Sequence, residues 1–239
     1  MRKFVIANWK MNKTNTEAVE FINGLRPLIE EKDNVWVCPP ATALSIVHDA
    51  LKGAGEVGAQ NIYYENKGAF TGEISANMAK SAGASFALVG HSERRHIFNE
   101  TNEQAAKKII AALEAGLKVV YCVGETLDEH GKLKSVLTTQ LKALKGIDLK
   151  NVIVAYEPVW AIGTGKVAQD EDIVKAHTFI KEFVLKNFNG KVKVLYGGSV
   201  NPDNIDGILK LKEVDGVLVG GASLDLTKFS KLFMAARKV

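Results

Sequence analysis

Short apolar runs rich in β-branched residues recur along this chain at residues 4–7, 35–38, 57–59, 86–89, 119–123, 152–156, 192–196 and 217–219. Runs of this length without polar alternation predict strands covered on both faces. Between most of them lie segments of helical period, at 16–31, 41–52, 102–115, 135–144, 170–187, 202–211 and 226–236. Gly53 and Gly116 stand where two of these helices would stop. Strand–helix alternation dictates a parallel sheet, and eight units in 239 residues give about 30 residues each, the length of a βαβ unit. Eight such units can close on themselves, so the expected architecture is an α/β fold, a (β/α)8 barrel forming a single domain over residues 1–239. A doubly wound open sheet is the alternative, but no GxGxxG follows the first strand.

Composition narrows the function. The chain is 46% hydrophobic and 24% charged, ordinary for a globular domain able to bury a large core. Its net charge of +4 comes from lysines scattered along helices, which argues against nucleic acid and leaves small anions as partners. Cys38 and Cys122 end two of the apolar runs and form no CxxC pair, so buried reduced thiols and a cytoplasmic location are expected. The first apolar run breaks at Asn8, too early for a secretory segment, and no stretch is long enough to cross a membrane.

In such a barrel, chemistry gathers where strands end at their C-terminal rim. The sixth run ends in Glu157, followed at once by Pro158, which cannot continue the ladder, and by a glycine-bearing flap. A base hidden from water belongs there, although a lone Glu could simply be a surface residue. The first run leads into Asn8-Trp-Lys10, and alternation along an extended chain would point Asn8 and Lys10 the same way. A lysine turned into a barrel mouth needs an anion to meet it. His91 follows the fourth run just before a helical turn, whose N–H groups can bond one ring nitrogen and disfavour the imidazolium. Gly197-Gly-Ser199 and Gly220-Gly-Ala-Ser223 follow the seventh and eighth runs, where backbone amides commonly cradle phosphate. Gly163 in the flap could add another amide.

Other motifs fail. Gly163-Thr-Gly-Lys166 is no P-loop, since Val167 replaces the Ser/Thr and Trp160 stands at the first Gly. His91-Ser-Glu93 lacks the PCxxC of zinc deaminases, and no clustered ligand set predicts a metal. A lyase using Lys10 as a Schiff-base nucleophile and a non-catalytic phosphate-binding barrel stay open as alternatives. The long segment 60–75 has no helical period and carries Ile62, Tyr63, Tyr64 and Phe70. Aromatic enrichment favours self-association over a loop folded against its own barrel.

With Asn8-Trp-Lys-Met-Asn12, Val89-Gly-His-Ser-Glu-Arg-Arg95, Ala155-Tyr-Glu-Pro-Val-Trp-Ala-Ile-Gly-Thr-Gly-Lys166, Tyr196-Gly-Gly-Ser199 and Gly220-Gly-Ala-Ser223 in order, the chain resembles triosephosphate isomerases from about residue 4 to its C-terminus. The resemblance implies interconversion of dihydroxyacetone phosphate and D-glyceraldehyde 3-phosphate, a step of glycolysis and gluconeogenesis, with no cofactor and no metal. It implies Glu157 as base, His91 as electrophile, Lys10 as substrate-binding cation and Asn8 beside the developing oxyanion. Gly163, Ser199, Gly220 and Gly221 match the family's phosphate-binding backbone, Glu93 and Cys122 match supporting positions, and 158–168 matches its closing lid. It further implies a homodimer in which the 60–75 loop carries Thr71 toward the partner's active site. There are departures: segment 128–135 is short, and Lys181 and Glu213 replace the family's Arg and Asp. A pair between those two would lose bidentate geometry.

Overall fold

The computed structural model describes residues 2–162 and 168–239. Strands β1 (Phe4–Asn8), β2 (Asn34–Cys38), β3 (Glu56–Ala59), β4 (Phe86–Val89), β5 (Lys118–Val123), β6 (Val152–Tyr156), β7 (Lys193–Tyr196) and β8 (Gly216–Val219) form a closed parallel barrel in chain order. Closure comes from β1, which pairs with β2 through Ile6↔Trp36 and with β8 through Ile6↔Leu218. An open doubly wound sheet is thereby ruled out.

The continuous apolar runs have a direct explanation in the two layers of the core. Ile6, Trp36, Cys38, Val120, Cys122 and Ala155 point inward and fill the barrel. Their chain neighbours Val5, Ala7, Val35, Val37, Val119 and Tyr121 point outward and pack in a second layer with the helices. Both faces are buried, so no polar alternation survives, and each fully buried aliphatic side chain contributes about 1.5–3 kcal/mol. Both cysteines are free and buried, as expected.

The surrounding helices are α1 (Asn15–Leu25), α2 (Leu44–Leu51), α3 (Ala76–Ser81), α4 (Ser92–His96), α5 (Asn102–Glu114), α6 (Leu133–Leu141), α7 (Asp170–Phe188), α8 (Ile205–Lys210) and α9 (Leu226–Ala236). Capping boxes start α1 (Thr14 with Glu17) and α5 (Thr101 with Gln104). Gly53 and Gly116, both at φ +78, lie just past the ends of α2 and α5 as the sequence predicts. The helix expected over 135–144 runs Leu133–Leu141 and closes in a 3₁₀ turn, and three further boundaries differ for a local reason. The helix expected over 16–31 stops at Leu25 because Pro27 forces a 3₁₀ turn. The one expected from 41 begins at Leu44, after a 3₁₀ turn that follows Pro40. The one expected from 202 begins at Ile205, because the Asn201 side chain accepts from the N–H groups of Asp203 (2.8 Å) and Asn204 (3.2 Å) and holds an Asx turn.

Lys181 does not pair with Glu213. It reaches Asp215 at 2.7 Å. Asp215 immediately precedes β8, and its carboxylate accepts the Val194 N–H at 2.8 Å, which fixes it within reach of α7. Glu213 instead offers its carbonyl to His177 Nδ1 at 3.2 Å. In segment 60–75, Tyr63 bridges to Ser75 and stacks on Tyr64 (4.2 Å) and near Phe70 (4.7 Å). The aromatics thus pack partly on one another, yet residues 65–73 are all exposed.

Candidate active site

β1 ends at Asn8, and the chain then turns sharply, with Lys10 in the left-handed region at φ 53. Asn8 and Lys10 face the same cavity because of this turn, not because of strand alternation. The Asn8 carboxamide oxygen accepts the Lys10 N–H at 3.0 Å. Gln60, just past β3, donates to the carbonyls of Lys10 (2.8 Å) and Cys38 (2.9 Å) and so clamps the turn from outside. Lys10 Nζ meets Glu93 Oε1 at 2.7 Å, the anion its position demands.

His91 follows Gly90 (φ +70) and caps α4. Its Nδ1 accepts the Glu93 N–H at 3.2 Å, which assigns the ring proton to Nε2, 3.0 Å from Glu157 Oε1. Burial disfavours the imidazolium, while the facing Glu157 and Glu93 carboxylates outweigh burial and raise the ring's pKa. Against that pull, the Glu93 N–H requires an unprotonated Nδ1, so the ring is neutral in this arrangement and donates from Nε2 to Glu157. The turn before it is held on both sides: Glu100 accepts the Gly90 N–H at 3.1 Å, and Arg95 donates to the Gly90 carbonyl at 2.7 Å.

Glu157 follows the last residue of β6 and is 2% exposed. Its Oε2 accepts the Ser92 N–H at 2.8 Å, so both carboxylate oxygens are engaged. Burial would raise its pKa, but His91, the Ser92 N–H and Lys10 prevail and hold the carboxyl below its ordinary range.

At the far side of the cavity, the loop after β7 carries Gly197, Gly198 and Ser199, and a 3₁₀ turn over Gly221–Leu224 opens after β8. Ser199 Oγ donates to the Ala161 carbonyl at 2.6 Å, tying this loop to the segment that follows Glu157. At Gly220 an added Cβ would sit 3.3 Å from Lys10 Cε, so the Lys10 side chain would have to give way slightly. The cavity measures about 470 Å³, and its wall includes Asn8, Lys10, His91, Glu157, Ser199, Gly220 and Gly221. Gly163 lies outside the described residues. Glu93 reaches the site through Lys10. Cys122 does not line the cavity but fills the barrel interior below it, and Thr71 is exposed on its own loop. Sequence reasoning missed Gln60, Glu100 and Arg95. Gln60 could have been found by the rule that found the others, since it is polar and follows a strand.

The family model for triosephosphate isomerase matches residues 3–236. The chain belongs to the triosephosphate isomerase family. It is 48% identical over 244 residues to the triosephosphate isomerase of Aquifex aeolicus, covering 97% of this chain and 98% of that one. Identity to the Geotalea uraniireducens enzyme is 47% over 246 residues, with 97% and 98% covered. A crystal structure of triosephosphate isomerase from Bartonella henselae superimposes with a TM-score of 0.91 at 38% identity, covering 99% of this chain and all of that one. The barrel, the rim cavity and the family thus agree. Among the described residues no group of three or more His, Cys, Asp or Glu could hold a metal ion, and no helix is long and apolar enough to cross a membrane.

Proposed function

We propose that Glu157 is the base, and His91 and Lys10 the donors to the developing oxyanion, in the interconversion of dihydroxyacetone phosphate and D-glyceraldehyde 3-phosphate that family membership assigns to this chain. The observation that carries this reading is the 3.0 Å contact between His91 Nε2 and Glu157 Oε1 in a cavity shared with Lys10. Before substrate enters, Glu157 is ionised and held by His91 and Ser92. Substrate takes over the Nε2–H, which releases one carboxylate oxygen to remove the proton from the carbon next to the carbonyl. Negative charge then develops on the carbonyl oxygen, where Lys10 Nζ and His91 Nε2–H converge, each donor being worth about 2.7–4 kcal/mol in a dry site. His91 Nε2 gives its proton to the former carbonyl oxygen and takes up the proton of the neighbouring hydroxyl, while the same carboxylate returns its proton to the former carbonyl carbon, so a new carbonyl forms with no net change in protonation. Asn8 sits beside the oxyanion. The amides around Ser199, Gly220 and Gly221 receive the phosphate. Lys10 stands next to a carboxylate rather than beside another cation, the opposite of what a Schiff-base lysine needs.

The exposed stretch 65–73 and the half-exposed Phe70 support a homodimer through segment 60–75, with Thr71 approaching the partner's site. Two buried free thiols support a cytoplasmic home. The pairing of β1 with β8 supports residues 1–239 as one domain. The test is Glu157→Asp, which withdraws the carboxylate by one methylene. In a coupled triose phosphate assay kcat should fall ~10²-fold with KM little changed, and an unaltered kcat would remove Glu157 as the base.

A further inference from the structure

The opposite, amino-terminal mouth of the barrel holds a second cavity of about 750 Å³, which no step above uses. It is built where strands begin: Phe4 opens β1, Glu56 opens β3, Lys118 opens β5, and Lys193 opens β7. Its apolar wall includes Phe4, Trp36, Ile153, Leu149 and Leu185, with the Phe4 and Trp36 rings meeting edge-on at 5.3 Å. Leu185 is 51% exposed there.

The charges around this wall are unbalanced. Lys118, Lys150, Lys181, Lys191 and Lys193 face three acids, Glu56, Glu182 and Asp215, an excess of two positive charges. Two of the acids are already taken. Asp215 is held by Lys181 (2.7 Å), Lys193 (3.3 Å) and the Val194 N–H (2.8 Å). Glu56 is held by Lys118 and by Ser85 Oγ at 2.7 Å. Lys150 and Lys191 form no ion pair among the described residues, so their charge is available to a ligand. A cavity of this size, apolar on its wall and with a few convergent charges, has the make-up of a small-molecule site.

We propose that this mouth binds a small organic anion with a flat apolar body, the body lying against Phe4, Ile153 and Leu185 and the anionic group on Lys150 and Lys191. A bare phosphate would leave the apolar wall unused. The barrel interior, filled by Ile6, Cys38, Leu88 and Cys122, separates this site from the catalytic cavity, so the two fill independently.

The test is to titrate the intact protein with 1-anilinonaphthalene-8-sulfonate, in the absence and presence of saturating inorganic phosphate. Saturable binding at one site per chain is expected, insensitive to phosphate. It should weaken at least about tenfold in K150E/K191E and in Leu185→Asp, and survive in K150R/K191R, while isomerase kcat stays within about twofold throughout. The neutral N-phenyl-1-naphthylamine should bind at least about tenfold more weakly than the sulfonate. The proposal is overturned by absence of saturable binding, by native affinity in K150E/K191E, by equal affinity for the neutral probe, or by displacement with phosphate.

Discussion

Gly124→Ala tests how tightly the barrel fixes Glu157, the proposed base, and the outcome can be worked from distances. A Cβ at position 124 would lie 1.7 Å from the Glu157 carbonyl oxygen and 2.6 Å from its carbonyl carbon, where real Cβ contacts essentially never fall below 3.0 Å. The deficit of about 1.3 Å between those limits must be absorbed by movement. Position 124 cannot supply it readily, because Gln140 bonds the Gly124 N–H and C=O at 2.8 Å each. The shift therefore falls on the Glu157 backbone, which is otherwise tied to the Val123 carbonyl at 2.7 Å. Displacing a catalytic group by about 1 Å can cost ~10²-fold in rate, or about 2.7 kcal/mol of barrier. Overpacking should also remove about 1–3 kcal/mol of stability. Steady-state assays should show kcat reduced ~10²-fold with KM within about threefold, alongside a lowered melting temperature. Gly131→Ala is the control, since an added Cβ there has nothing within 4 Å. A folded Gly124→Ala protein with native kcat would refute the inference that Glu157 is held in place from this side.

Gln60→Leu removes the two bonds that clamp the Lys10 turn from β3 and leaves only the Asn8 bond to the Lys10 N–H, so KM for triose phosphate should rise about tenfold as the cation loses its position, and an unchanged KM would show that the turn holds without Gln60. His177 is buried, and desolvation pushes its pKa down to about 4 from an ordinary 6.5, so the unfolded ring binds its proton at higher pH than the folded one. That contribution to stability is complete above pH 6.5 and is lost as pH falls toward 4, by about 3 kcal/mol. In His177→Leu the urea-unfolding midpoint should fall less steeply over that range, and an identical slope would clear His177 of the effect. Replacing Tyr64 and Phe70 with Ser and Asp should yield monomers of reduced activity in sedimentation and turnover measurements, whereas an unaltered sedimentation coefficient would dismiss the 60–75 segment as an interface.

The parts of this molecule legible in its sequence are those in which local chemistry and topology coincide. A β-branched run ending at Glu157-Pro158 marks a strand tip whatever surrounds it, and the doubled glycines after β7 and β8 mark the turns that line the rim cavity. What could not be read is what folding creates at a distance. Gln60 acts on the carbonyls of Lys10 and Cys38, and Glu100 and Arg95 act on Gly90. Each bonds a backbone group, which carries no side-chain signature in the sequence. The turn at Lys10 was hidden for a related reason: a lysine with positive φ is not a local preference but a conformation held by its neighbours. Lys181 chose Asp215 over Glu213 because the Val194 N–H fixes where the Asp215 carboxylate stands, which sequence spacing does not reveal. Helix ends moved where Pro27, Pro40 and Asn201 offered the backbone a competing turn.

The most direct measurement is solvent deuterium incorporation at carbon when dihydroxyacetone phosphate is incubated with Glu157→Gln in deuterated water, read by proton NMR against the native protein. Glu157 as the sole carbon base predicts that the native protein labels triose phosphate readily while the variant, which keeps the fold and cavity but lacks the carboxylate, introduces label at least about 10³-fold more slowly. Labelling by the variant at the native rate would mean that another group moves the proton.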